Sequence, residues 1–341
     1  MTAKWSYYYE MTRKVHPLRA APKVWNYLKY RRLTRTAKTS VRRYAPQIAS
    51  VMLTRRCNLN CGYCHAGNVV NRMGKEWRES EATLEKIERL FSNPLLEKCL
   101  LVDFGLGEPL MVDDFEAIVA YLVKRGHIVN TATNGLLLAE RVAGLKRAGI
   151  SRINVSLYDA NREVMERDLS GINRIFPVHM SVVLLRSRVE KAPDELVRTA
   201  RFLRDAGCRS LRFWIYRPMG VDPKPEEIIN DALPAYGELR RRMDEALPGF
   251  CLWPAPLRTT RFEKLCPQLW QRLTCDASGS LGICCGSDVM LQGPGSNLLD
   301  CEPDVAFNHP TLVSMREQLL DPGSEPPDVC KTCNLLGDPG W

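Results

Sequence analysis

Through the middle of the chain, short apolar runs alternate with stretches in which apolar side chains return every three or four positions. The runs are IASVML (48–53), CLLVDF (99–104), HIVNTAT (127–133), RINVSLY (152–158), VHMSVVLL (178–185) and SLRFWIY (210–216), and they read as strands. The stretches between them predict helices around 81–91, 114–125, 139–148 and 194–206. Strand and helix alternating about six times argues for a parallel α/β sheet with crossover helices. Gly126, Gly149 and Gly207 stand at helix-to-strand junctions, where left-handed caps are expected. Six units fall short of a complete eight-fold barrel, so an open or partial barrel is predicted.

The rhythm fails at both ends. Residues 1–45 hold Pro17 and Pro22, then Tyr30, Leu33, Ala37, Val41 and Tyr44 at spacings of three and four among Lys and Arg. They predict a basic amphipathic helix with Pro22 in its first turn, ending before Pro46. After 217 comes a Pro-rich connector, RPMGVDPKPEE, then a helix over 231–246. Residues 249–341 carry eight of the 13 cysteines and only short apolar runs. Such a segment is expected to bury little core and to need metal to hold it. The 341 residues thus divide into a leader (1–46), a barrel (47–217), a connector with a helix (218–248) and a cysteine-rich domain (249–341).

Composition is that of an ordinary globular chain, with 45% hydrophobic and 26% charged residues. The net charge of +9 is unevenly placed: residues 1–45 hold 12 basic side chains and one acid, Glu10, and the rest hold 36 basic against 38 acidic. A near-neutral body with a basic leader argues against a whole-protein nucleic-acid surface. The opening MTAKWSYYYEM lacks the apolar core of a signal peptide, and no apolar run reaches membrane-spanning length. The cysteines therefore point to metal in a reducing compartment, expected to be the cytoplasm, with the membrane periphery as the alternative through the leader.

Cys57, Cys61 and Cys64 in TRRCNLNCGYCHAG are spaced C-x3-C-x2-C just after the first strand, where parallel α/β folds gather reactive groups. Three thiolates on one loop leave one iron of a 4Fe–4S cluster open to an exogenous ligand. The competing reading is a structural zinc knuckle completed by His65 or a distant residue, although zinc favours C-x2-C pairs. With the aromatic Tyr63 before the third cysteine, the motif resembles the CxxxCxφC signature of the radical S-adenosylmethionine (radical SAM) superfamily. Gly107, Glu108 and Pro109 in FGLGEPL are similar to that family's GGEP motif, with Leu106 in place of the first glycine. TNG (133–135), holding Asn134, and VSLYDA (155–160), holding Ser156, also look like family segments, with the acid one place late at Asp159.

The resemblance covers about residues 47–217. It implies a partial (β/α)6 TIM-like barrel with cluster and SAM at its C-terminal mouth. It also implies Tyr63, Gly107, Glu108, Pro109, Asn134 and Ser156 as SAM neighbours. The implied chemistry has the open iron chelate the amino and carboxylate groups of SAM. One electron, from a donor such as flavodoxin or ferredoxin, then breaks the C5′–S bond, and the 5′-deoxyadenosyl radical takes hydrogen from substrate. A barrel interior lined by Val, Ile, Leu and Phe is expected to exclude water.

Further on come Cys266, twelve residues, Gly279, four residues and Cys284, then Cys330-Lys-Thr-Cys333. A hairpin around Ser278–Ser280 would return Cys284 to Cys266. The pattern resembles the auxiliary-cluster half of SPASM and twitch extensions. It implies one auxiliary 4Fe–4S cluster on Cys266, Cys284, Cys330 and Cys333, of the shorter twitch type because eight residues follow Cys333. A zinc site on the same four cysteines is the alternative. Cys285 is a substitute ligand, and a second auxiliary cluster from Cys251, Cys275, Cys285 and Cys301 has no motif behind it. Cys99 and Cys208 read as small core residues.

A closed cluster cannot cleave SAM but can accept an electron, which makes the expected net reaction a two-electron oxidation of a small polyol, aminosugar or sugar-like metabolite. The alternatives are maturation of a ribosomally made peptide by epimerisation or cross-linking, and a non-enzymatic iron–sulfur or zinc scaffold. No winged-helix peptide-binding domain is evident. Arg186 and Arg188 follow the fifth strand and are candidates for an anionic substrate group or the SAM carboxylate. The leader reads as a membrane-surface helix, a nucleic-acid arm, an anionic contact or a lid on the barrel.

Overall fold

The computed structural model describes residues 17–36, 38–61, 64, 81–218, 223–258, 266–287 and 289–336. Tyr63 and His65 lie outside them. The leader helix is α1 (Pro17–Thr36). The barrel follows as β1 (Ile48–Met52), α2 (Leu84–Leu90), α3 (Pro94–Glu97), β2 (Leu101–Phe104), α4 (Phe115–Lys124), β3 (Ile128–Thr133), α5 (Leu138–Ala148), β4 (Arg152–Ser156), α6 (Arg162–Ile175), β5 (His179–Leu184), α7 (Arg186–Lys191), α8 (Pro193–Asp205) and β6 (Ser210–Ile215). Then come α9 (Pro234–Ala246), β7 (Cys251–Leu252), α10 (Gln268–Gln271), β8 (Arg272–Asp276), β9 (Leu281–Gly282), α11 (Pro303–Phe307) and α12 (Pro310–Leu320). All six predicted strands form, and Gly126, Gly149 and Gly207 hold the expected left-handed junctions. Helix α6 was not among the predicted helices. Its charged sequence hides Met165, Leu169 and Ile172, which are buried at spacings of four and three.

One sheet runs in the order β7-β6-β5-β4-β3-β2-β1-β8-β9. Every pair is parallel except β8–β9. The sheet therefore does not stop at residue 217. Strand β7 adds to one edge, and β8 pairs with β1 through Ile48↔Arg272 to Met52↔Asp276.

The two faces of the sheet differ sharply. Ala49, Val51, Val102, Phe104, Val129, Ile153 and Val155 are each 0–1% exposed and pack into the core with the helices. The alternate residues face the other way, as the two-residue strand period demands. In register across the sheet they read Ser50, Asp103, Asn130 and Arg152, then Asn154, His179 and Ser210, then Ser156, Ser181 and Arg212. The middle of the concave face is thus polar, with a small apolar cluster of Ile48, Leu101 and Ile128 at the N-terminal strand ends and with Val183 and Trp214 further along the same face. The expected interior of Val, Ile, Leu and Phe is met only in part, because most of those residues are the helix-facing half of the same strands.

Two further expectations change. Helix α1 starts at Pro17, so Pro22 lies inside it rather than in its first turn, at the cost of one backbone hydrogen bond. It ends at Thr36, and the chain from 38 to 47 is irregular, so Val41 and Tyr44 do not extend its stripe. The C-terminal segment also buries more than its loops suggest. Leu269, Trp270, Leu273, Leu281, Phe307 and Leu319 join the main core at 0–4% exposure. Arg316, 0% exposed, donates to the carbonyls of Leu269 (2.9 Å), Ser40 (3.0 Å) and Phe307 (2.9 Å), tying this segment to the leader. Burial lowers its pKa to about 9. Packing, and not metal alone, holds this part of the chain.

Candidate functional site

Strand β1 delivers the chain through buried Leu53, Thr54 and Arg55 to Cys57 at the C-terminal end of the sheet. The amide of Cys64 donates to the carbonyl of Cys61 (3.0 Å), which links these two cysteines directly. The Leu59 amide (3.5 Å) and Asn134 Nδ2 (3.6 Å) both reach the Cys57 sulfur. Burial pushes the Cys57 thiol up, and burial with Cys64 and Cys57 nearby pushes Cys61 up to about 12. Such thiols stay protonated at neutral pH until a metal displaces the proton.

The loop after β2 is stitched to the chain just before Cys57. Gly107 (φ +65°) passes so close that a Cβ there would lie 2.1 Å from the Thr54 carbonyl oxygen. Leu106 is the single non-glycine residue with positive φ (+64°) among the described residues, at the place where the family motif carries glycine. Glu108 is 1% exposed, and its amide donates to the Arg56 carbonyl (2.7 Å). Its carboxylate accepts from Thr133 Oγ1 (2.7 Å), the Asn134 amide (2.7 Å) and the Leu110 amide (3.0 Å). Burial raises its pKa, and these three hydrogen bonds oppose the rise. Glu108 therefore locks the loops after β1, β2 and β3 together. Pro109 is buried beside it.

Asn134 hydrogen-bonds Asn58 Oδ1 (2.7 Å) as well as reaching Cys57, so it orients the cysteine loop from β3. Ser156 at the end of β4 lies 3.2 Å from Ser181 Oγ on the concave face. The predicted neighbours Gly107, Glu108, Asn134 and Ser156 thus line the ends of successive strands, while Tyr63 lies outside the described residues.

Two participants escaped the sequence. Asn161 is fully buried and donates to the carbonyls of Asn134 (2.6 Å) and Ser156 (2.8 Å), joining the β3 and β4 loops. Arg55 pairs with Asp276 of β8 (3.5 Å), with both side chains almost fully buried, and its Nε and Nη1 meet no acceptor. Arg55 stands two residues before Cys57 and Asn161 directly after VSLYDA, but neither is a position that the motifs specify. Arg188 is paired with Asp159 (2.5 Å), whose carboxyl it holds below the usual range, and Arg186 pairs with Glu190 (3.1 Å). His179, deep on the concave face, hydrogen-bonds Ser210 Oγ (2.8 Å). Burial, then Arg152, Arg209 and Arg212, keep its imidazole neutral.

A second thiol group forms in the C-terminal segment. The β8–β9 hairpin turns at Gly279 (φ +89°), where a Cβ would lie 2.6 Å from Asn297 Oδ1. As expected, it returns the chain to Cys266. Cys266, Cys284, Cys285, Cys330 and Cys333 line one cavity with Arg217. Burial, followed by neighbouring thiols, pushes Cys266, Cys284 and Cys330 up to about 12. The amides of Gln268 and Leu269 support the Cys266 sulfur, and that of Gly286 supports Cys284. Arg217, from the end of β6, donates to the carbonyls of Gly286 (3.0 Å) and Val329 (3.2 Å). Among the described residues, no three His, Cys, Asp or Glu side chains are gathered tightly enough to share a single ion.

The remaining cysteines are scattered. Cys251 sits against Met243 (3.9 Å), Cys275 is buried in the core near Cys99, and Cys301 reaches the Gly295 carbonyl (3.8 Å). The structure does not bring them together with Cys285, which removes the second auxiliary cluster. Cys99 and Cys208 are buried, as expected.

A parallel partial barrel with a three-cysteine loop at its strand ends defines a class of metal-dependent α/β enzymes. The sequence profile of the Radical SAM superfamily matches residues 51–232, and the chain belongs to that superfamily. It is therefore a radical SAM enzyme, using a 4Fe–4S cluster and SAM. GTP 3′,8-cyclase of Aquifex aeolicus (strain VF5) is 30% identical over 51% of this chain and 58% of its own length. GTP 3′,8-cyclase of Corynebacterium glutamicum (strain R) is 34% identical over 60% and 56%. The chain thus spans a little over half the length of these curated relatives. Among solved structures, Streptococcus suis SuiB bound to S-adenosylmethionine superposes with a TM-score of 0.63 at 14% identity, covering 84% of this chain and 77% of SuiB. That likeness is one of fold. Among the described residues, no helix is long and apolar enough to cross a membrane.

Proposed function

We propose that this chain oxidises a small, polar, hydroxyl-bearing metabolite, with Cys57, Cys61 and Cys64 holding the SAM-binding cluster and Cys266, Cys284, Cys330 and Cys333 holding an auxiliary 4Fe–4S cluster. The observation that carries the reading is the polar middle of the concave face under the cysteine loop. When bound, the first cluster and SAM supply a 5′-deoxyadenosyl radical that takes a hydrogen atom from substrate carbon. A closed thiolate cluster on the second cysteine set would supply an acceptor for the second electron, and the hydroxyl proton would pass to solvent.

The chain's own residues do the placing. Glu108, Asn134 and Asn161 fix the loops that frame SAM. Gly107 admits a close backbone approach, Pro109 shapes the same loop, and Ser156 completes the frame, while Tyr63 joins the set through the family motif alone. Half-buried Asp103, Asn154, Ser156 and Arg212 would present polar groups to substrate on this face, with Arg152, Ser181 and neutral His179 buried among them. Cys285 is the alternative to Cys284 in the second set. Polyols and aminosugars fit this face, and so does the sugar of a nucleotide such as the relatives' names specify. A flavodoxin or ferredoxin would deliver the first electron.

A peptide substrate is the second reading, because the fold neighbour SuiB has been solved with its precursor peptide SuiA. A row of charged and hydroxyl side chains on the concave face favours the small metabolite.

Anaerobic reconstitution tests the core of this proposal. The expected result is about eight irons per chain and reductive release of 5′-deoxyadenosine from SAM. Cys330→Ala with Cys333→Ala should hold about four irons and keep SAM cleavage while losing oxidised product. Bound zinc without SAM cleavage would instead leave a scaffold protein. Full substrate oxidation in the double variant would make the second centre structural.

A further inference from the structure

Helix α1 turns a mixed side to the body: Ala20 is buried, Tyr30 and Leu33 pack against the core, and polar side chains between them reach backbone carbonyls. Lys23, 4% exposed, donates to the Glu97 carbonyl (2.6 Å), and Asn26, 6% exposed, donates to the carbonyl of Ala45 (3.0 Å) and accepts from its amide (3.2 Å). Arg19 bonds the Lys124 carbonyl, and Tyr30 bonds Gln271 Oε1 (3.2 Å). These acceptors precede β1, β2, β3 and β8, so the helix lies across the N-terminal ends of the strands, opposite the cysteine loop. The side it turns to water carries large apolar side chains, with Leu18 81% exposed, Trp25 72%, Leu28 54% and Val24 42%, and exposed Arg32 continues the same line.

Leu18, Ala21, Trp25 and Leu28 recur at spacings of three and four, which draws one stripe down the outer face. Lys29 and Arg31 lie on opposite flanks of it, and the helix carries six basic residues and no acid. Contiguous exposed apolar surface with a polar rim marks a docking site. The charge selects the occupant. A second copy of the helix would bring cations against cations with no acid to pair them. An anionic lipid surface accepts Trp and Leu at the acyl boundary while Lys and Arg reach up to the phosphates.

We propose that this outer face of α1 docks the enzyme onto anionic membranes, with the strand C-termini and their thiol loop pointing away from the bilayer. The lid reading of the leader does not apply to a helix at the opposite end of the barrel.

The test is sedimentation of the full-length protein with vesicles of 30% phosphatidylglycerol and 70% phosphatidylcholine, beside vesicles of phosphatidylcholine alone. Binding is expected only with the anionic vesicles and is expected to weaken as salt rises. Trp25→Ser with Leu28→Ser should cut the partition coefficient about tenfold or more, as loss of buried apolar area requires. Both side chains are exposed, so the melting temperature and reductive SAM cleavage should stay unchanged. Lys29→Glu with Arg31→Glu should abolish the anionic preference. The proposal is overturned if wild-type protein stays in the supernatant, or if the apolar variant binds as well as wild type. A dimer in light scattering that the apolar variant dissolves, without vesicle binding, would assign the stripe to a second copy. Salt-sensitive binding to an oligonucleotide alone would assign the charge to nucleic acid.

Discussion

The two thiol centres are built in opposite ways. Cys57, Cys61 and Cys64 sit within eight residues of one another, and the fold brings orienting groups to them from three strand ends. Cys266, Cys284, Cys285, Cys330 and Cys333 come from separate pieces of chain and meet around a cavity. The first centre is a local motif placed by a rigid scaffold, which leaves room for an exogenous ligand. The second is itself a crosslink, since binding any group there fixes segments far apart in sequence. The first should therefore govern chemistry and the second should be coupled to folding.

The largest expected effect tests the first half of that contrast. Cys57→Ala should lower 5′-deoxyadenosine release at least about a thousandfold, because a two-thiolate loop cannot retain the cluster. The melting temperature of the metal-free protein should barely move. A comparable loss of stability would mean the loop is structural after all.

Next comes alkaline pH. The thiols of Cys266, Cys284 and Cys330 are held at about 12, above their ordinary value of 9.0. Between those limits the unfolded chain gives up protons that the metal-free fold retains, so stability present below pH 9 is lost as pH rises. The unfolding free energy from urea titrations at pH 8, 9.5 and 11 should fall by on the order of a few kcal/mol in the metal-free protein. The iron-loaded protein, whose thiols are already deprotonated, should lose less. Equal slopes would uncouple the second centre from folding.

A smaller effect is expected at Glu108. Glu108→Gln forces an amide donor against Thr133, Leu110 or the Asn134 amide. It should cost about 2 kcal/mol. SAM affinity, measured by equilibrium dialysis on the iron-loaded protein, should fall with it. Unchanged SAM affinity at reduced stability would confine Glu108 to the scaffold. The smallest effect is Leu106→Gly, which removes a left-handed leucine. Relief of strain less the added chain entropy should raise stability by about 0.5 kcal/mol in a thermal melt. A drop would show that the leucine side chain packs usefully.

The contrast also explains what the sequence disclosed. The cysteine loop was legible because its ligands are neighbours in the chain. The second set was legible only through its resemblance and the Gly279 turn. The strands were legible as apolar runs, but their two faces were not separated, although the alternation Arg152, Asn154, Ser156 within RINVS already carries it. Asn161 and Arg55 stayed hidden because a buried hydrogen bond leaves no periodic trace. Helix α1 was legible as a helix, but its buried side was not. A helix that buries Lys23 and exposes Trp25 inverts the rule by which amphipathic helices are oriented.

The pairing of β1 with β8 imposes an order in time. Ile48 finds its partner Arg272 only after most of the chain has been made. At ribosomal rates of about 5–20 residues per second, that edge of the nascent sheet waits roughly ten to forty-five seconds for its neighbour. An open strand edge is a template for wrong pairing during that wait. Slower translation, or loss of chaperones that hold nascent chains, should therefore lower the yield of soluble protein more than it alters the finished enzyme.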